Sequence, residues 1–222
     1  MNIYYYKSIK MLEYSTTEYE LGVDEVGRGC LFGPVVAAAV VMPLTFHEDD
    51  VLWKEIKDSK KVSEKKRYIL KKYIEETALC YGIGECTHVE IDKMNILQAS
   101  LRSMHRAINI AYKKNPIFTK ILVDGIHFKP FVPPIADAEY MPHQCIEGGD
   151  NVKLNIAAAS ILAKCHRDSH IQDGCVKNLI WNEYDLKKNK GYGTAKHLNA
   201  LERLGPIEGH RMTYKPVYNN KR

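Results

Sequence analysis

Residues 34–42 read PVVAAAVVM, a stretch without one polar side chain, closed by Pro43. A β-rich run with no alternation needs cover on both faces, so it predicts a strand in the middle of a sheet with layers packed above and below. No apolar run approaches the roughly 20 residues that span a bilayer. With 222 residues the chain can supply such layers as one large domain, or as a domain with a sizeable appendage. Hydrophobic residues at 45% and charged residues at 27% suit a globular protein and exclude a disordered one.

The flanking patterns predict what those layers are. Residues 19–26 (YELGVDEV) form a strand entering a turn at Gly27-Arg28-Gly29, and 79–86 and 117–124 (IFTKILVD) form two more. Leu97, Leu101, Met104, Ile108 and Ala111 alternate steps of four and three, which predicts an amphipathic helix over 94–112. A second helix is expected over 63–77 and an apolar one over 156–163, with a weaker strand near 144–146. The order predicts an α/β fold, a mixed sheet flanked by helices. The tail after about Trp181 is polar and basic, a mixture of helix and loops.

Lys7, Lys10 and Glu13 interrupt the N-terminal apolar character, which argues against a secretory signal. The cysteines at 30, 80, 86, 145, 165 and 175 form no C-x-x-C pair and read as reduced thiols, so a cytoplasmic location is expected. Charge is unevenly spread. Residues 54–72 carry nine Lys/Arg against three acids and 187–222 nine against two, while the whole chain is only +5. Basic rims around an acidic remainder suit an enzyme that grips phosphates and holds cations.

Asp24 and Glu25 are adjacent acids at a strand end, Asp124 repeats the context as ILVDG, and Asp150 precedes a helix start. Singly, such acids serve as caps and turn formers. Together, carboxylates at the ends of neighbouring strands repel one another, a cost tolerated mainly where a divalent cation neutralises them. Oxygen ligands without a His/Cys set imply a hard ion, Mg²⁺ or Mn²⁺. Gly27-Arg28-Gly29 matches no nucleotide-binding loop, but glycines beside acids permit close backbone approach to a ligand or a tight turn. Tyr192, between two glycines in a basic stretch, can stack on a base or sugar. His166 and His170 have the spacing of zinc ligands but no third partner and read as helix-surface residues. His210-Arg211 reads as a phosphate contact or a tertiary anchor.

With these residues in view, the sequence resembles the ribonuclease HII family, the type 2 ribonucleases H. The resemblance runs from about Tyr19 to Val217 through GVDEVGRG (22–29), GPVVAAAVV (33–41), DSKKVSEKKR (58–67), EIDKMNILQASLRSM (90–104), ILVDG (121–125), GGD (148–150), IAAASILAK (156–164), NKGYGT (189–194) and GPIEGHRMTYKP (205–216). Cys30 and His127-Phe128 depart from the family's more usual residues at those places.

The resemblance implies a ribonuclease H-like mixed sheet with flanking helices and a small helical C-terminal region: an N-terminal extension over 1–18, a catalytic domain over 19–180 and a basic substrate-binding region over 181–222. It implies cleavage of the RNA strand of RNA–DNA hybrids and of ribonucleotides embedded in duplex DNA. Asp24, Glu25, Asp124 and Asp150 match the family's catalytic, metal-binding carboxylates, with Asp168 a competing fourth acid. Gly27, Arg28 and Gly29 match the turn that reads the ribose 2′-hydroxyl, and Tyr192 the aromatic that stacks on the adjoining deoxyribose. A two-ion site of Mg²⁺ or Mn²⁺, 5′-phosphate and 3′-hydroxyl products, a monomer and no membrane partner are expected. Among rivals, ribonuclease HIII typically carries a sizeable extra N-terminal domain, whereas 23 residues precede Asp24 here. A non-cleaving hybrid-binding module predicts a broken acid set, and a phosphate-loop switch protein needs a Lys-[Ser/Thr] that is missing.

Overall fold

The computed structural model describes residues 12–220. The expected N-terminal extension over 1–18 therefore lies largely outside the described residues. A five-stranded sheet has the order β3-β2-β1-β4-β5. Its strands are β1 (Glu20–Val26), β2 (Val35–Val41), β3 (Cys80–Cys86), β4 (Lys120–Asp124) and β5 (His143–Ile146). The first three form an antiparallel meander, while β4 and β5 run parallel to β1. The sheet is mixed, as expected.

The apolar run is β2, one strand in from the β3 edge, and it is fully buried. Val36, Ala38 and Val40 face a core shared with Leu70, Ile74, Leu154, Ala157 and Ile161. Ala37, Ala39 and Val41 face the opposite core, with Met104, Ala107, Ile108 and Ala111. The helices responsible are α1 (Glu64–Thr77), α3 (Ile96–Lys114) and α4 (Leu154–Lys177). α3 covers one face, while α1 and α4 cover the other. Burying one such side chain contributes roughly 1.5–3 kcal/mol, so a strand packed on both sides is a major source of stability.

Two helix boundaries differ from the periodicity. The helix expected over 94–112 is α3, and a separate, unexpected helix α2 (His88–Met94) precedes it; Asn95 between them adopts φ 70° and caps α3 by accepting from Gln98 N–H at 3.1 Å. The helix expected over 156–163 continues to Lys177, because its polar residues Arg167 and Asp168 find partners inside the fold. At its start, Asn155 donates to the Glu20 carbonyl at 2.6 Å and accepts from Met42 N–H at 3.1 Å, pinning α4 across β1 and β2.

After α4 the chain forms short helical segments: α5 (Leu186–Asn189), α6 (Ala195–Leu204) and α7 (Lys215–Tyr218). They pack round Phe32, Tyr184 and Leu201 in a separate small core against the start of β2. Among the described residues no helix is long and apolar enough to cross a membrane.

Candidate active site

β1 and β4 are parallel with Val23 opposite Val123, so the next residues, Asp24 near the end of β1 and Asp124 at the end of β4, lie side by side. Asp24 accepts from Glu25 N–H at 2.7 Å. Asp124 accepts from Gly149 N–H at 2.7 Å, which draws in the 3₁₀ turn Gly149–Asn151 and with it Asp150. Glu25 is held by Arg28 at 3.3 Å. A cavity of about 180 Å³ opens between Glu25, Arg28, Asp124 and His127.

The electrostatics tie these four acids together. Burial pushes the Asp24 pKa well above the carboxylate range, and Glu25, Asp124 and Asp150 push it further. Burial also raises Glu25, against the opposing pull of Arg28. Asp150 is raised by burial, then by Asp58 and Asp124, with Lys60 opposing. Each of the three holds its charge at a cost that a cation would relieve. Among the described residues no three His, Cys, Asp or Glu side chains close into a ready-made cage. The acids form an open rim of oxygen donors. That donor chemistry, with its mutual repulsion, fits hard divalent ions shared with a phosphate and water better than a closed structural site.

Beside the acids, Gly27 turns at φ 94° with Arg28 and Gly29 exposed. The turn is braced from below. Arg167 donates to the carbonyls of Pro34, Lys190 and Phe32 at 3.0, 2.7 and 2.8 Å. Arg211 and the Tyr214 hydroxyl donate to the Arg28 carbonyl at 2.9 and 2.6 Å. Leu31 N–H donates to the Gly191 carbonyl at 2.8 Å, which brings the loop carrying Tyr192 alongside. Tyr192 is 41% exposed. Partial burial and the neighbouring Cys30 raise its hydroxyl pKa, so the ring has more local packing than two flanking glycines suggest.

A family model of ribonuclease HII matches residues 21–221. The chain belongs to the ribonuclease HII family. The ribonuclease HII of Christiangramia forsetii is 42% identical over 202 residues, covering 91% of this chain and 93% of that protein. That of Trichormus variabilis is 47% identical over 195 residues, covering 88% and 80%. The crystal structure of ribonuclease H2 from Pyrococcus horikoshii aligns at a TM-score of 0.70 and 23% identity over 91% of this chain and 96% of that one, a likeness of fold. Membership makes the chain a ribonuclease H, a hydrolase of a family that cleaves the RNA of RNA–DNA hybrids.

Within this ribonuclease HII fold the other polar candidates separate. Asp168 is paired with Lys164 at 2.8 Å and faces Arg67 at 3.9 Å, apart from the acids that act on Asp24. His166 meets Glu85 at 3.5 Å on the surface. His210 and Arg211 are fully buried, so of the two readings offered by the sequence they are tertiary anchors, not phosphate contacts.

Sequence reasoning missed Asp58 as a neighbour of Asp150. Asp58 accepts from Lys60 N–H at 2.9 Å, and Lys61 bonds the side chain of Asn151. Ser59 N–H reaches Ser160 at 3.2 Å, and Arg67 holds the Ser59 and Val62 carbonyls at 2.9 and 2.6 Å. The segment thus sets two exposed lysines beside the acid rim. The available signal was the DSKKVSEKKR stretch (58–67), but nothing in that local pattern points to Asp150.

Proposed function

We propose that this chain is an endoribonuclease that cuts the RNA strand of RNA–DNA hybrids and single ribonucleotides embedded in duplex DNA, leaving 5′-phosphate and 3′-hydroxyl ends. The observation that carries the reading is the Asp24 carboxylate, buried beside Asp124 and raised by three other acids. In this reading Asp24, Glu25, Asp124 and Asp150 hold two divalent cations, Mg²⁺ or Mn²⁺. Bound there, the ions supply a more acidic attacking water and charge neutralisation at the leaving oxygen.

The chain's own residues do the rest. Arg28 orients Glu25, and Gly149 N–H orients Asp124. The Gly27-Arg28-Gly29 turn, exposed at Arg28 and Gly29, reads the ribose 2′-hydroxyl, which distinguishes RNA from DNA at one position. Tyr192 stacks on the adjoining deoxyribose. Lys60, Lys61 and the basic region 181–222 grip phosphates without sequence preference. Residues 19–180 are the catalytic domain, acting as a monomer, and six unpaired cysteines suit a reducing cytoplasm.

One gel tests the reading. A duplex carrying a single ribonucleotide is expected to be cut in Mg²⁺ or Mn²⁺ and left intact in EDTA. An uncut duplex with either ion, or cleavage that survives EDTA, overturns it.

A further inference from the structure

His197 and His210 are fully enclosed, at 0% and 1% exposure, and take no part in the chemistry described above. Their Nε2 atoms lie 3.0 Å apart. Two neutral imidazoles can meet so closely only when one nitrogen carries a hydrogen and the other a lone pair. The outer contacts decide which. His197 Nδ1 lies 3.0 Å from the Tyr192 carbonyl, which can only accept, so Nδ1 bears the hydrogen and Nε2 is bare. His210 Nε2 then donates, leaving its Nδ1 to accept from Ile207 N–H at 3.0 Å. The Ile207 carbonyl, 3.1 Å from that nitrogen, already accepts the His210 backbone N–H at 3.1 Å. One ordered relay satisfies the set: Ile207 N–H to His210, His210 to His197, His197 to the Tyr192 carbonyl.

We propose that His197 and His210 are positioning residues whose fixed-tautomer relay sets the Tyr192 loop for recognition of the sugar beside the cleaved ribonucleotide. The inference rests on the stacking role given to Tyr192 above. Packing alone does not call for two imidazoles here. Phe32 and Tyr184 enclose the pair with ring edges, with centroids 4.9 and 5.0 Å from His210, and apolar rings would fill the same space without the cost of burying polar nitrogens. The directional contacts end instead on the backbone of Tyr192. Burial pushes both pKa values down, His210 to about 4, so the neutral relay persists at working pH.

The test uses the full chain. His197→Phe keeps the volume and loses the relay, while His197→Asn keeps a donor near the Nδ1 position. On a duplex with one ribonucleotide, His197→Phe is expected to raise KM about tenfold with kcat within about twofold, and to change an all-RNA hybrid much less. His197→Asn is expected to restore most of the loss. Combining His197→Phe with Tyr192→Ala should add nothing to Tyr192→Ala alone. Additive losses, equal losses on both substrates, or an unimpaired His197→Phe beside an impaired Tyr192→Ala overturn the relay. A wild-type Tyr192→Ala instead overturns the stacking role, and the positioning claim with it. Long-range ¹⁵N spectra of the wild-type imidazoles check the relay without any variant. Hydrogens on His197 Nδ1 and His210 Nε2 across roughly pH 6–8 support it, and any other tautomer pair overturns it.

Discussion

The guanidinium of Arg167 lies directly beneath Gly27, so close that a Cβ on the glycine would come within 2.3 Å of Nε. Arg167 is wholly buried and binds three backbone carbonyls, so it cannot withdraw without leaving polar groups unpaired. One side chain of α4 therefore supports the glycine turn, the approach to β2 and the loop of Tyr192.

Gly27→Ala combines that clash with a positive φ that an alanine adopts only under strain. A cost of about 2–4 kcal/mol is expected, a fall in Tm of roughly 4–16 °C. Gly29→Ala has no neighbouring atom within 4 Å of the added methyl and is expected to keep the wild-type Tm while impairing cleavage, because the methyl obstructs close approach of the ribose. Thermal unfolding and a cleavage assay on both variants separate the two effects.

Asp24→Asn is expected to stabilise the metal-free protein and abolish cleavage. The folded state raises the Asp24 pKa, so it binds that proton more tightly than the unfolded chain does. Ionised Asp24 then costs stability, increasingly as pH rises above the ordinary value of 3.8. In EDTA near neutral pH the variant should melt above wild type, with the gap closing as pH falls toward about 4. A variant that melts below wild type at neutral pH would contradict the repulsion among the acids.

Asp124→Asn keeps an oxygen for Gly149 N–H, so the turn bearing Asp150 should stay in place. Hybrid binding is expected to be retained, or tightened in metal-poor buffer, while cleavage is lost. A variant keeping more than about a tenth of the wild-type rate, a barrier change under roughly 1.4 kcal/mol, would remove Asp124 from the ion-binding set.

His210 makes acid stability testable. Its pKa is pushed from 6.5 to about 4 by burial, with His197 and His88 adding repulsion. The unfolded chain takes up the proton first, so stability is lost as pH falls from 6.5 toward 4, by about 3 kcal/mol in full. Denaturant titrations across that window should show the decline in wild type and a flatter profile in His210→Gln.

Local pattern made much of the sheet legible. The run at 34–42 required cover on both faces, and acid-glycine junctions at 24–29 and 124–125 marked strand ends where charge could gather. It failed where polar residues are satisfied at a distance. The sequence pattern ends the helix at Ala163 because Arg167 and Asp168 are costly to bury alone. Their partners Phe32 and Arg67 lie more than a hundred positions earlier. Asp58 carried no local sign of its role for the same reason, its neighbour Asp150 being 92 positions away.

The sequence by itself determined the layers and the proposed kind of chemistry, because apolar periodicity reports local burial and acids at or just beyond strand ends repel one another unless a cation compensates them. Tertiary structure alone decided which acids share a field, how Asp168 comes to face Arg67, and how His197 and His210 meet behind Tyr192. Those outcomes depend on ångström separations between remote segments, and electrostatic and hydrogen-bond energies change too steeply with distance for a one-dimensional pattern to encode them.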